Sequence, residues 1–193
     1  MERMKQTEQA EQMEKWDAYY EDGTPANRVL VRGEAIPQGL YHLVAEVLVR
    51  HEDGSFLLMR RDLQKPNYPG YWGSGAGGSV CLGESAVQGA VRELWEETGL
   101  QAQEGRLRPI YWLVNGKTQG IYAGYCFDYR GEKDAVRLQE GETVDYRWVP
   151  ANTFAAIIAG QEVPGYPFVP ALQQRLRRAQ ELGALPDFNA DTQ

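Results

Sequence analysis

Residues 78–100, Gly78 to Leu100, read GSVCLGESAVQGAVRELWEETGL. Ser85 with Gln88 three positions later is a capping box. Gly99 is placed where a helix ends in left-handed backbone. The spacing therefore predicts a helix over residues 86–98, with Val87, Val91, Leu94 and Thr98 on one stripe facing a core. Another side of that helix carries Glu93, Glu96 and Glu97. Glu93 and Glu97 are one turn apart, roughly 5–6 Å between Cβ atoms, and like charges at that spacing cost a few tenths of a kcal/mol. A cation that neutralises the cluster removes this cost. Gly75, Gly77, Gly78 and Gly83 read as a turn whose backbone can come close to a metal or a phosphate. Hard carboxylate oxygens suit Mg²⁺ or Mn²⁺. Arg92 is placed to pair with Glu84 or Glu96 and hold a carboxylate in position.

Gly78, Glu84 and the run Arg92-Glu93-Leu94-Trp95-Glu96-Glu97-Thr98-Gly99-Leu100 resemble a complete Nudix box. Pro69-Gly70-Tyr71-Trp72 resembles that family's approach to the box, and Glu142 to Val149 resembles its late strand, so the resemblance spans residues 40–160. It implies a Mg²⁺- or Mn²⁺-dependent hydrolase that cleaves a diphosphate in a nucleoside diphosphate linked to another moiety. It implies Glu93 and Glu97 as main metal ligands, Glu96 as a further ligand or the base that activates water, and the Gly77 carbonyl as another ligand. Glu84 and Arg92 become the supporting ion pair of the catalytic set. Substrate contacts are expected from Arg60 or Arg61, from Trp72 and from Glu142. Only one of the two arginines can face a pocket, because neighbours on a strand point to opposite faces.

The flanks also look like the branch containing isopentenyl diphosphate isomerase. That branch places a reactive Cys and a metal-binding His before the box. Here Gly77 and Ser79 occupy those positions, and Cys81 lies four residues late. An isomerase-like enzyme and a non-catalytic nucleotide-binding module are the alternative readings. The intact carboxylates argue against the module, which has no need of a repulsive cluster.

Composition fits an enzyme with a globular core: 193 residues, 42% hydrophobic and 24% charged. A net charge of −7 argues against a nucleic-acid polymer as partner, and it obliges an anionic small-molecule diphosphate to find local cations. Two cysteines make no disulfide framework. No apolar run suits a membrane span and no signal peptide is recognised, so the expected location is cytoplasmic. Only His42 and His51 are available for imidazole chemistry, which disfavours zinc or triad mechanisms. His51 is expected in an exposed turn.

Along the chain, residues 1–13 read as a flexible polar lead-in. Residues 14–35 read as a β-hairpin turning at Glu21-Asp22-Gly23, a segment through which a homodimer could form. Residues 36–193 read as the hydrolase domain. Strands are predicted at 42–49, 56–61, 107–114, 121–129 and 144–149, with a turn at Asn115-Gly116, and helices at 154–159 and 171–182. The fold class is α/β (α+β type), and the resemblance implies an α/β/α sandwich around a mixed β-sheet. Gly73 to Gly78 matches GxGxxG, but Ser79 to Glu84 separate it from the helix, unlike a dinucleotide fingerprint.

Overall fold

The computed structural model describes residues 13–185. The lead-in expected at 1–13 lies, Met13 apart, outside the described residues. The chain runs β1 (Lys15–Tyr19), β2 (Pro25–Val31), β3 (His42–His51), β4 (Phe56–Arg61), β5 (Trp72–Ser74), β6 (Ala76–Ser79), α1 (Ala86–Thr98), β7 (Leu107–Asn115), β8 (Gly120–Tyr129), β9 (Thr143–Val149), α2 (Ala151–Ile158) and α3 (Pro170–Glu181). Strands β1 and β2 pair antiparallel as a separate ribbon. The other seven form one mixed sheet in the order β5-β4-β3-β8-β7, with β6 also on β3 and β9 also on β4. Only β3 and β8 run parallel. None of the described helices is long and apolar enough to cross a membrane.

Period-two alternation along the central strands builds the layers. From β3, Leu43, Ala45, Val47 and Val49 point to one face, joined there by Leu57 and Met59 of β4 and by Ala90 and Leu94 of α1. Leu48 of β3 and Phe56 and Leu58 of β4 point to the other face, against Phe154 and Ile157 of α2 and Leu172 and Leu176 of α3. The result is a helix–sheet–helix sandwich. The buried stripe of α1 centres on Ala90, Leu94 and Thr98, while Val87 and Val91 are only partly buried. His51 is not in an exposed turn. It ends β3 with its ring against Trp148 and Tyr129 and Nε2 on the Gly131 carbonyl oxygen, because the 51–55 turn folds under the 129–133 segment.

The sheet forks. β3 and β4 share a single register pair, Arg50 with Phe56. Beyond it β4 pairs with β5 and β9, while β3 pairs with β6 and β8. Of the glycines expected in a turn, Gly83 does sit in one, at φ +83°, whereas Gly75, Gly77 and Gly78 belong to two short strands and their link that cross this fork. They swing from β4 to β3 through Gly75, whose φ is +56°. Any Cβ at Gly75 would collide with the Val47 carbonyl oxygen. At Gly77 a Cβ would lie 2.9 Å from the Ala45 carbonyl oxygen. Glycine here permits tight backbone pairing rather than chain reversal.

Gly75→Ala is expected to cost at least about 3 kcal/mol, combining backbone strain with a collision. Gly141→Ala, at φ +77° with open space around it, should cost only about 1 kcal/mol. Urea denaturation of the two variants measures the difference, and equal losses would remove the case for the close approach.

Candidate active site

Helix α1 begins and ends as its sequence dictates. The Gln88 N–H donates to Ser85 Oγ (3.3 Å) and the Ser85 N–H to Gln88 Oε1 (2.9 Å). Gly99, at φ 68°, donates its N–H to the Trp95 carbonyl oxygen. The helix lies against β6, and the glycines of β6 set how near it comes. A Cβ at Gly78 would overlap the Glu93 carboxylate. The Gly77 N–H donates to Glu97 Oε2 at 3.1 Å.

Arg92 is the hub of the charged cluster. Its Nε and one terminal nitrogen donate to the two oxygens of Glu84 (2.8 and 3.0 Å), and that second nitrogen also reaches the Ser79 carbonyl oxygen at 2.9 Å. The other terminal nitrogen donates to Glu93 Oε1 (2.8 Å) and Glu96 Oε2 (3.0 Å). Glu84 further accepts the Cys81 N–H. The hydrogen bonds from Arg92 hold Glu84 below the usual carboxylate range, and Glu84 in turn keeps the guanidinium charged. Burial pushes Glu93 up, against the pull of Arg92. Glu97 has no such partner. Burial, then the neighbouring charges of Glu93 and Glu142, raise it from 4.5 to about 8, although the Gly77 N–H opposes the shift.

A cleft of about 200 Å³ opens at the fork, lined among others by Gly77, Glu97, Arg61, Glu142, Glu46 and Arg175. Of the expected contacts, Arg61 and Glu142 line it from β4 and from the approach to β9, and Glu142 pairs with Lys65. Arg60 points elsewhere and donates to the Gly70 carbonyl oxygen. Trp72 does not face the cleft either. Its indole is 4% exposed, packs on Tyr166 and donates to the Gly165 carbonyl oxygen, because β5 turns it into the α2–α3 core. Glu84, Arg92, Glu93 and Glu96 gather beside the cleft rather than in its lining.

Sequence reasoning missed several contributors. Glu46 and Arg175 form an ion pair at the cleft wall (Nε to Oε2, 2.7 Å), with the Tyr111 hydroxyl also donating to Glu46. A lone carboxylate inside the apolar run of β3 was the available signal for Glu46. Thr143 Oγ1 also belongs to the cleft and is the buried side-chain oxygen without a partner among the described residues. Asp17 of β1 accepts the Gly83 N–H at 2.7 Å, and Lys15 offers its carbonyl oxygen to the Leu82 N–H at 2.8 Å. The hairpin thus braces the loop that carries Glu84.

The donor chemistry fits a hard divalent cation: three carboxylates on one helical turn, a glycine backbone beside them and an orphaned hydroxyl in the cleft. Among the described residues, however, no three acidic, Cys or His side chains already converge on one point. Arg92 draws Glu93 and Glu96 to itself.

The NUDIX domain model matches residues 40–172. The chain belongs to the Nudix family. A Nudix hydrolase of Listeria innocua, itself uncharacterized, is 30% identical over 158 residues, covering 81% of this chain and 92% of the relative. The crystal structure of DR0079 from Deinococcus radiodurans has the same fold, with a TM-score of 0.68 and 19% identity over 86% of this chain and 99% of that one. An isopentenyl-diphosphate Delta-isomerase of Klebsiella pneumoniae is 27% identical over 121 residues, 61% of this chain and 66% of the relative. The protein is a Nudix hydrolase, an enzyme of phosphoanhydride bonds.

Two outcomes follow from this geometry. Between pH 4.5 and about 8, Glu97 is protonated in the folded chain and ionised in the unfolded one. Folding then takes up a proton, and the stability of metal-free protein falls as pH rises through that window. In chelator, Glu97→Gln should melt at least about 2–4 °C above wild type at pH 9, the shift produced by roughly 1 kcal/mol in a domain of this size. At pH 5 the gap should close, and scanning calorimetry reads both. Separately, Asp17→Ala should lower kcat about 5–10-fold with KM little changed, the scale of one lost hydrogen bond. Asp17→Asn, which keeps an acceptor oxygen, should restore it.

Proposed function

We propose that the protein is a Mg²⁺- or Mn²⁺-dependent pyrophosphohydrolase acting on a nucleoside diphosphate linked to another moiety. The observation that carries this reading is the placement of Glu97. It is tied to the Gly77 backbone, raised in pKa by burial and by other carboxylates, and set in the same cleft as the Arg61 guanidinium. Glu93, Glu96, Glu97 and the Gly77 carbonyl would hold the divalent ion, which when bound supplies charge neutralisation at the bridging and non-bridging phosphate oxygens. Arg61 binds and orients the diphosphate from the same cleft. Glu84 and Arg92 fix the carboxylate-bearing helix. The proton of the attacking water passes to Glu96 or Glu142. Glu96 has a 41% exposed side chain, and Glu142 lines the cleft. Glu96→Gln and Glu142→Gln distinguish them, since losing the base removes the acidic limb of the pH profile of kcat/KM.

Isomerase chemistry has no support in the cleft, whose described lining contains neither Cys nor His. Burial raises the Cys81 thiol, and Glu84 accepts its backbone N–H.

Glu97→Gln and Glu93→Gln should each lower kcat at least about 10²-fold, the scale for losing a charge-stabilising group. Release of phosphate and of nucleoside monophosphate from a panel of diphosphates with Mg²⁺ is the measurement. Near wild-type turnover in either variant would overturn the ligand assignment.

A further inference from the structure

The cleft at the fork is small. At about 200 Å³ it falls below the ~300–1,000 Å³ of pockets that enclose a whole ligand of modest size. It has room for a diphosphate but not for both groups attached to it. A larger groove of about 830 Å³ adjoins it, between α3 and the β7–β8 hairpin, and the two cavities share Arg175 as a wall. One stripe of α3 (Ala171, Gln174, Arg175, Arg178) lines the groove at helical spacing. Leu113 and Tyr122, cross-strand partners, face it from the sheet.

The groove has the opposite charge to the molecule. The chain carries −7 overall, yet Lys117, Arg175, Arg177 and Arg178 line this surface with Glu181 as its one carboxylate. Arg175 is committed to Glu46 and lies over the Tyr122 ring at 3.9 Å. Arg178 reaches Glu181 at 3.1 Å on the exposed rim. Lys117 has no carboxylate partner among the described residues, while Arg177 donates Nε to the Ile158 carbonyl oxygen at 3.0 Å. A cationic surface that shares the Arg175 wall with a diphosphate-sized cleft suits a substrate whose charge continues past the diphosphate.

We infer that this groove binds one arm of the substrate, and that the arm bears a negatively charged group, a phosphate or a carboxylate. The inference rests on the diphosphate hydrolysis proposed above and names the class of substrate for it. Arg175 is the positioning residue at the junction. Lys117 and Arg178 meet the charged group, and Leu113, Val114 and Ala171 offer apolar surface to the rest of the arm.

The test compares substrates that differ only in that charge: UDP-glucuronate with UDP-glucose for a carboxylate, coenzyme A with dephospho-coenzyme A for a phosphate. Wild type should favour the charged member of at least one pair about fivefold or more through KM, the scale of one well-placed ion contact. The double variant Lys117→Glu, Arg178→Glu should bring that ratio within about twofold. Arg106→Glu, an exposed charge reversal outside the groove, should leave it in place. The inference is overturned if neither pair is discriminated, if the preference survives the double reversal, or if Arg106→Glu removes it equally. The same ratios are read as affinities by calorimetry with calcium in place of magnesium. Binding with the expected ratio but no hydrolysis of any member would sink the proposed reaction and leave the groove assignment standing. Absence of binding by every member would overturn both.

Discussion

The Arg92 guanidinium holds together groups that would otherwise part. It donates to Glu84, Glu93, Glu96 and the Ser79 carbonyl oxygen, joining the loop before α1, the helix itself and the end of β6. Without a cation at this point, carboxylates crowded on one helical turn would repel each other and the half-buried ones would be costly to ionise. Arginine suits the position because its planar fork can serve several acceptors at once and its charge is not lost on burial. Glu97 lies outside this network. Burial and neighbouring carboxylates raise its pKa, and of the three carboxylates on the helix it is the one that lines the cleft.

The fork in the sheet is the second constraint. Hydrogen bonding between β3 and β4 stops after one pair, so β5 and β6 must cross from one branch to the other within a few residues. Gly75 makes the crossing, Gly77 lets β6 lie against β3, and Gly78 leaves space for Glu93. The same backbone thus closes the gap in the sheet and lines the site. On the face toward α3, the partly buried Glu46–Arg175 pair forms part of the cleft wall. A buried pair of this kind adds little to stability on balance. Glu46 lines the cleft, and Arg175 lines both the cleft and the basic groove.

The hairpin β1–β2 lies before the residues matched by the family model, yet it reaches the site. Trp16 stacks on His42, and Trp16, Ala18, Leu30 and Leu40 form a small core of their own. That packing anchors the ribbon so that Asp17 and Lys15 can meet the N–H groups of Gly83 and Leu82. His42 is accounted for by the stack and by its contact with the Gln119 carbonyl oxygen, and needs no metal.

Much of the protein was legible in its residues because the deciding signals are local. The capping box at Ser85, the left-handed Gly99 and the 3.6-residue periodicity bound α1, and the Asn115-Gly116 turn separates β7 from β8. The spacing of Glu93, Glu96 and Glu97 puts three carboxylates on one turn whatever surrounds them. Other features depend on which segments meet in space. The glycines before the box read as a turn, since nothing in a single stretch shows that another strand will pair with it. Trp72 reads as a substrate contact, but β5 turns it into the core, and the choice between Arg60 and Arg61 depends on which face of β4 meets the cleft. Glu46 and Arg175 are 129 residues apart in sequence, and Asp17 is 66 from Gly83. Short-range sequence patterns encode helices, caps and turns because those are made by neighbours. Clefts, ion pairs and pKa values arise only when distant segments exclude water from one another, so the tertiary structure alone decided them.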